Sequence, residues 1–453
     1  MLNKDLRDKK KGYINNKNDI KSFEKTFMQN GSNHLFGVHN NVPIGFSYKS
    51  NIGSNVMFFG SSFAEDRHNY ENYVIQNLIQ NNCSNIVVTH NSLFRDNLSR
   101  RCKNTIIDYV INLDTYNPLN YLYQLYRKGD KNSYFSNLES LCHCIDENEN
   151  FLFCDPFHLN LYKTLLFLLI CYVIENETIE NKDFNSILEL LQNFCTKNST
   201  VACSEEIASG KSPSLNELRL FYENSPEKWG KSYFDILNVM TCRAKTLSDE
   251  IIHLMIMLQM YKNCCNNTID FDELIKEQKN ILIELPISCE VPSLYKIFFS
   301  QYLMHRFNYV ERNAISFNDI PYMQIYLADI DTWNTIRNLD TTLVCGRNVF
   351  VGISLYCDDI ELMKKKYSSE YSSEILVEPI QTILGNCRVK IFPTKNANQN
   401  TISLLRKETQ KSNLEFIFLD EVIPDADIQK FAESNKQIVL FGKLVPIICD
   451  YFA

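Results

Sequence analysis

Residues 54–80 read SNVMFFGSSFAEDRHNYENYVIQNLIQ, and this stretch decides the fold. The run 55–59 is short and apolar, the mark of a strand buried on both faces. A polar turn opens at Gly60. Tyr70, Tyr73, Val74, Asn77 and Leu78 then recur at three- and four-residue spacing, which predicts a helix with one inward face. Strand, glycine turn and helix make the frame on which phosphates are held at a helix N-terminus. The loop chemistry departs from that frame. A phosphate loop needs several glycines for close backbone approach, then Lys and Ser or Thr at the helix start. Here Ser61, Ser62, Phe63 and Ala64 follow Gly60, and no lysine lies between Lys49 and Lys103. Glu65 and Asp66 put negative charge where phosphates would lie. The expectation is a nucleotide-binding scaffold whose ATP and Mg²⁺ sites are lost, with no catalytic residue, no metal site and no cofactor.

Outward from this stretch, short apolar runs alternate with helical patterns. SNIVVTH (84–90) is a β-branched strand, 92–102 a polar helix, 105–111 a strand, and 116–119 a turn built on Asn117-Pro118. That alternation predicts a parallel sheet. Across 126–267 the strand signals vanish and helical spacing takes over, as in Ile187, Leu188, Leu190, Leu191 and Phe194. Within it, 196–214 reads as a loop or lid. From 268 strands return at 281–286, 323–331, 342–356, 387–394, 436–440 and 444–450, with helices at 294–308, 358–371 and 399–407. The reading is an α/β domain split into 34–125 and 268–453 by an all-α inserted domain, 126–267, behind a flexible lysine-rich tail, 1–32.

Composition sets further bounds. At 453 residues and 45% hydrophobic, the chain can build two or three domains with real cores. A net charge of −8 gives no large basic face for nucleic acid, although a local patch stays open. Sixteen cysteines occur without a CxxC, and neither Cys142-His143-Cys144 nor Cys264-Cys265 has a second half at metal-site spacing. They read as buried free thiols of a reducing compartment. The longest apolar run, 164–174, falls short of the roughly 20 residues a membrane helix needs. The N-terminus has no signal-peptide core. Both point to a cytoplasmic chain without a transmembrane segment. The tail carries Lys4, Arg7, Lys9, Lys10 and Lys11, either solvated or in weak contact with DNA or lipid. Asp329 follows the apolar strand 324–327, where α/β sheets place ligand chemistry. It can cap the next turn or hold Mg²⁺; the neighbouring residue is Ile330, so an adjacent acid is lacking.

The order of these pieces resembles the type IV secretion coupling proteins, the TraG-type conjugative DNA-transfer ATPases. The stretch 56–90 stands where that family has its P-loop and the following helix with an Asn-Leu pair, here Asn77-Leu78. YNPLNYL (116–122), FCDPFHLNLYKTLLFLLICYVIE (153–175), FNSILELL (184–191), IDFDELIKEQKNILIELP (269–286) and PIQTILGNCRVKIFPTKNANQNTISLL (379–405) carry the rest. The resemblance covers about 34–450 and implies a RecA-like P-loop NTPase-type sheet. Several positions depart from the family. GK[ST] is absent, and His90 stands where a strand usually ends in Asp. Tyr356 stands near the family's sensor Gln, and the N-terminal membrane helices are missing. The degenerate nucleotide-site remnant is then Gly60, Ser61, Ser62 and Asp329. The resemblance implies an inactive homologue, a pseudo-ATPase acting as adaptor or regulatory scaffold in DNA transfer by a mobile element. Its implied partners are an intact coupling ATPase, a relaxase or other type IV secretion components, and through one of them it could sit at the inner membrane face. Contact with DNA stays open. Two alternatives stand beside it: a working ATPase or DNA translocase with an unconventional P-loop, in which Arg67 or an Arg from a neighbouring subunit replaces the lysine, and a protein-interaction module unrelated to transfer.

Overall fold

The computed structural model describes residues 33–39, 42–47, 55–60, 64–80, 83–89, 94, 96–98, 107–111, 115–146, 156–194, 213–241, 248–266, 269–284, 293–316, 319–328, 330, 339–369, 379–395, 399–412, 425–433, 436–441 and 446–452. The tail 1–32 and the loop 196–212 lie outside them. The chain divides into two compact units, Met1–Tyr109 with Asp272–Glu284 and Tyr309–Ala453, and Val110–Phe271 with Leu285–Asn308.

The strands are β1 (Asn33–His39), β2 (Val42–Ser47), β3 (Val56–Phe59), β4 (Ser84–Thr89), β5 (Tyr109–Ile111), β6 (Asn280–Glu284), β7 (Met323–Leu327), β8 (Val351–Cys357), β9 (Val389–Pro393), β10 (Lys436–Phe441) and β11 (Ile447–Asp450). Among the described residues they form one sheet, ordered β2-β1-β11-β10-β9-β3-β8-β7-β4-β6-β5. From β9 to β6 the pairing is parallel, with β3 between β8 and β9. From β9 outward through β10, β11, β1 and β2 it is antiparallel. The strands read at 55–59, 84–90, 281–286, 323–331 and 342–356 supply β3, β4, β6, β7 and β8 of its parallel part.

Helix α1 (Ala64–Gln80) covers β3, and Tyr70, Tyr73, Val74, Asn77 and Leu78 are its buried face. Phe58 meets Tyr70 edge-on and lies 5.8 Å from Tyr73, while Phe59 stacks on Phe392 at 4.5 Å. Both faces of β3 are therefore packed, which is why its sequence is continuously apolar.

Asn77 does the work of a strand neighbour. Register shifts between Leu35 and Gly37 of β1, a bulge that removes ladder partners. The Asn77 carboxamide accepts from Leu35 N–H and donates to Leu35 C=O, both at 2.9 Å, and Gln437 donates to Phe36 C=O at 2.7 Å. Asn77→Leu leaves both Leu35 backbone groups buried without a partner. It is expected to lower unfolding stability by about 2–4 kcal/mol in urea melts.

The second unit is helical in its described residues apart from the end of β5: α2 (Pro118–Arg127), α3 (Lys131–Asp146), α4 (Pro156–Glu175), α5 (Phe184–Phe194), α6 (Pro213–Asn224), α7 (Lys231–Thr241) and α8 (Ser248–Gln259). Asn117 caps α2 by accepting from Leu119 N–H, with Pro118 at the first turn. Helix α4 packs against α2, α7 and α8. It is longer than the apolar run within it: 20 residues with a mean hydropathy of 1.7 over its most apolar window, enough to cross a membrane by length and composition. Yet 61% of that window is buried inside the protein, as a core helix requires, and Leu161, Leu165, Leu168, Leu169 and Tyr172 are fully enclosed. The chain is expected to purify without detergent. Retention in the membrane pellet after high-salt and carbonate washing would contradict this.

The remaining helices are a short one at Phe271–Lys276 and α9 (Ser293–Asn313), α10 (Leu339–Cys345), α11 (Ile360–Ser369), α12 (Pro379–Asn386), α13 (Gln399–Ser412) and α14 (Asp425–Glu433). One sequence expectation is corrected here. The stretch 342–356 reads as strand, but its first part is the end of α10 and a 3₁₀ turn, and β8 begins only at Val351. Asn55 fixes this arrangement by donating to Leu343 C=O at 2.8 Å and accepting from Ile353 N–H at 3.0 Å. The described cysteines are free: Cys83, Cys142, Cys171, Cys264, Cys357, Cys387 and Cys449 are buried, and burial pushes the Cys387 thiol up to about 12.

Candidate nucleotide site

Gly60 sits at the C-terminal end of β3, the edge where parallel sheets bind ligands. Its N–H donates to Cys357 C=O at 2.8 Å and so extends the β3–β8 ladder by one residue. A side chain at Gly60 would collide with the Tyr356 hydroxyl and with Asp358 Oδ1, which would stand 2.6 Å from its β-carbon. The space directly over the glycine is thus filled by two side chains from the end of β8 and the turn after it. Tyr356 is fully buried, with its ring 4.7 Å from Tyr70 and 5.9 Å from Phe58.

The electrostatics around Gly60 are negative. Burial first, then the neighbouring Asp358 and Asp66, push the Tyr356 phenol far above its ordinary range, with Arg67 pulling the other way. Asp66 is 2% exposed, in the first turn of α1 beside Glu65. Carboxylates there interact favourably with the positive helix end, the role a bound phosphate plays in a nucleotide enzyme. Glu65 pairs with Lys395 at 2.9 Å on the surface. Burial and the charge of Asp66 act together on Tyr451 as well, raising its phenol.

Behind the site lies a buried polar network. Tyr73 Oη is 2.9 Å from Ser354 Oγ and is hydrogen-bonded to a ring nitrogen of His34, and Gln324 donates to Ser354 Oγ at 2.9 Å. Burial lowers the His34 imidazole to about 3, so it is neutral and structural. Strands β1, β7 and β8 and helix α1 are tied together through it.

Of the expected site residues, Gly60 is described; Ser61, Ser62 and Asp329 lie outside the described residues, as does His90. The structure adds Asp358 at Gly60 and brings Tyr356 and the buried Asp66, both singled out in the sequence, to the same place. The sequence signal for Asp358 is the pair Asp358-Asp359 closing an apolar strand, which reads locally as a helix start.

No protein-family model matches the chain, and no curated protein matches it in sequence. Solved structures do match in fold. The plasmid coupling protein TrwB in complex with the non-hydrolysable ATP analogue ADPNP aligns with a TM-score of 0.57 at 8% identity, over 95% of this chain and 91% of that one. The unbound bacterial conjugative coupling protein TrwB lacking its first 70 residues aligns with a TM-score of 0.54 at 8% identity, over 95% and 90%. VirB4 of Thermoanaerobacter pseudethanolicus aligns at 0.51 with 9% identity, over 94% and 97%. The chain therefore has the RecA-like P-loop NTPase fold of TrwB and VirB4.

Proposed function

We propose that this chain is a catalytically inactive relative of the conjugative coupling ATPases, an adaptor or scaffold in type IV secretion-linked DNA transfer. One observation carries the inactive half of this reading: Tyr356 and Asp358 occupy the space over Gly60, and the Gly60 N–H is bonded to Cys357. Phosphate binding needs that space and free donors. The likeness to TrwB and VirB4 supports the transfer half. On this reading Gly60, Ser61, Ser62 and Asp329 are the remnant of the site. The split α/β domain is 34–125 with 268–453, and 126–267 is the inserted helical domain. The chain works in the cytoplasm, peripheral at the inner membrane face when a partner holds it there.

An intact coupling ATPase, a relaxase or other secretion components are its partners. Affinity capture of the tagged chain from its own host, read by mass spectrometry, tests this. Enrichment of those components is the expected result. Consistent enrichment of proteins with no part in transfer would favour an unrelated interaction module.

A further inference from the structure

The connection between α6 and α7 is seated on the C-terminal end of α4, and one carboxyl group holds it there. Glu175 closes α4, and its Oε1 accepts from Gly230 N–H at 2.9 Å. Lys228 Nζ donates to Glu175 C=O at 3.2 Å and to Tyr126 Oη at 3.1 Å. The Trp229 ring lies 4.9 Å from that of Tyr126 in α2 and 5.1 Å from that of Tyr134 in α3. The fit at Gly230 is tight: a β-carbon there would collide with the Tyr222 hydroxyl and stand 2.7 Å from Cys171 Cβ. Two buried polar atoms of this seat have no hydrogen-bond partner, Glu175 Oε2 and Tyr222 Oη. The connection itself holds on by little else, since Pro226 and Glu227 are exposed.

We propose that residues 225–230 form a pH-sensitive latch on the helical unit, shut while Glu175 is protonated and lifting from α4 when Glu175 ionises. A neutral carboxyl tolerates one oxygen without a donor, whereas a buried carboxylate with an unmet oxygen is costly, and lifting the connection gives that oxygen water. Burial is the largest influence on Glu175 and raises it to about 7. Lys228 of the connection and Lys131 of α3 oppose the rise. Cys171 of α4, Tyr134 of α3 and Tyr222 of α6 are held by burial far above neutrality and stay uncharged. Glu177 and Lys182, between α4 and α5, and Tyr126 of α2 act on the site through Lys228. The shut form raises the carboxyl above its ordinary 4.5, so closure is strongest below that value and weakens as pH rises through about 7. The latch involves no residue of the Gly60 site, so it does not depend on whether nucleotide is bound.

Hydrogen exchange of the full chain, read by mass spectrometry and corrected for the intrinsic pH dependence of exchange, tests this. In the peptide 223–232 the opening constant is expected to rise about twentyfold between pH 5.5 and 7.5. Its openings are expected to be far more frequent than those of 161–170, the enclosed part of α4, because the latch lifts without unfolding the unit. Glu175→Gln cannot ionise and is expected to flatten the rise. Gly230→Ala, in which the connection cannot seat, is expected to exchange fast in 223–232 at both pH values while 161–170 stays protected. No rise in the parent chain would overturn the proposal, since Tyr222 would then have turned to donate to the carboxylate and kept the latch shut. So would a rise that persists in Glu175→Gln, or protection retained in Gly230→Ala. Equal opening constants in 223–232 and 161–170 would also overturn it, because Glu175 would then act only through unfolding of the whole unit.

Discussion

Titrating Mg-ATP into the purified chain is expected to give no stoichiometric heat at sub-millimolar concentration, with phosphate release at background. Binding weaker than about 1 mM means less than about 4 kcal/mol of favourable free energy at the site. Each usual source of that energy is missing or reversed. No lysine follows Gly60 before Lys103, so the loop itself offers the β- and γ-phosphates no ammonium, and Lys395 at the α1 N-terminus is already paired with Glu65. The Gly60 N–H already donates to Cys357 C=O. Tyr356 and Asp358 fill the space above it, and moving them aside would expose a buried phenol and bring a carboxylate toward the phosphates. At the α1 N-terminus, Asp66 is buried where a phosphate would compete for the same N–H groups. Arg67 is a poor replacement for the lysine, because its planar guanidinium presents a rigid fork of donors where a compact ammonium on a flexible four-carbon stem is needed. Stoichiometric heat that disappears in Asp329→Ala would show a live site and favour a working ATPase with an unconventional loop.

A second large effect is expected at Glu175, the last residue of α4. Its Oε1 accepts from Gly230 N–H at 2.9 Å, and Oε2 is buried without a hydrogen-bond partner. Burial raises this carboxyl to about 7, although the Gly230 and Trp229 N–H groups and Lys228 oppose the shift. The unfolded chain releases the proton near 4.5. Between these values the folded state holds a proton that the unfolded state has lost, so stability is full below about pH 4.5 and falls as pH rises to about 7. At about 1.4 kcal/mol per unit the loss is about 3 kcal/mol. Glu175→Gln keeps an acceptor for Gly230 and cannot ionise. It is expected to be about 1–2 kcal/mol more stable than the parent at pH 8 and no more stable at pH 4.5, the amide losing part of the gain because its N–H₂ has no partner at Oε2. Urea melts at the two pH values check this. A difference that does not change with pH would show that Glu175 is ionised throughout.

The parallel half of the sheet could be read from the sequence because its signals are local. VMFF is buried on both faces and so is apolar throughout, and the inward face of α1 repeats at helical spacing. The Asn117-Pro118 helix start is equally plain. The hairpin of β1 and β2 was not readable. Its alternation is broken by the bulge at Leu35–Gly37, Pro43 argues against a strand, and Gly45 is there because the His34 carbonyl lies against it. In α10, Thr341, Thr342 and Val344 favour a strand locally, and tertiary contacts such as Asn55 with Leu343 override them. At the candidate site Gly60 was legible, but Tyr356 and Asp358 reach it only through the pairing of β3 with β8. Strand order across that distance leaves no trace in local pattern.

The position of β3 has a consequence for how the chain is made. Val56 pairs with Ser354 on one side and Val389 on the other. A ribosome adding about 5–20 residues per second delivers those partners some 15–60 seconds after β3 has been synthesised. During that interval one of the most apolar segments of the chain has no lateral neighbour, and β1, paired early with β2, waits longer still for its second neighbour, β11. Productive folding of this unit therefore waits until β8 and β9 have been made, and the nascent chain should depend on a holding chaperone.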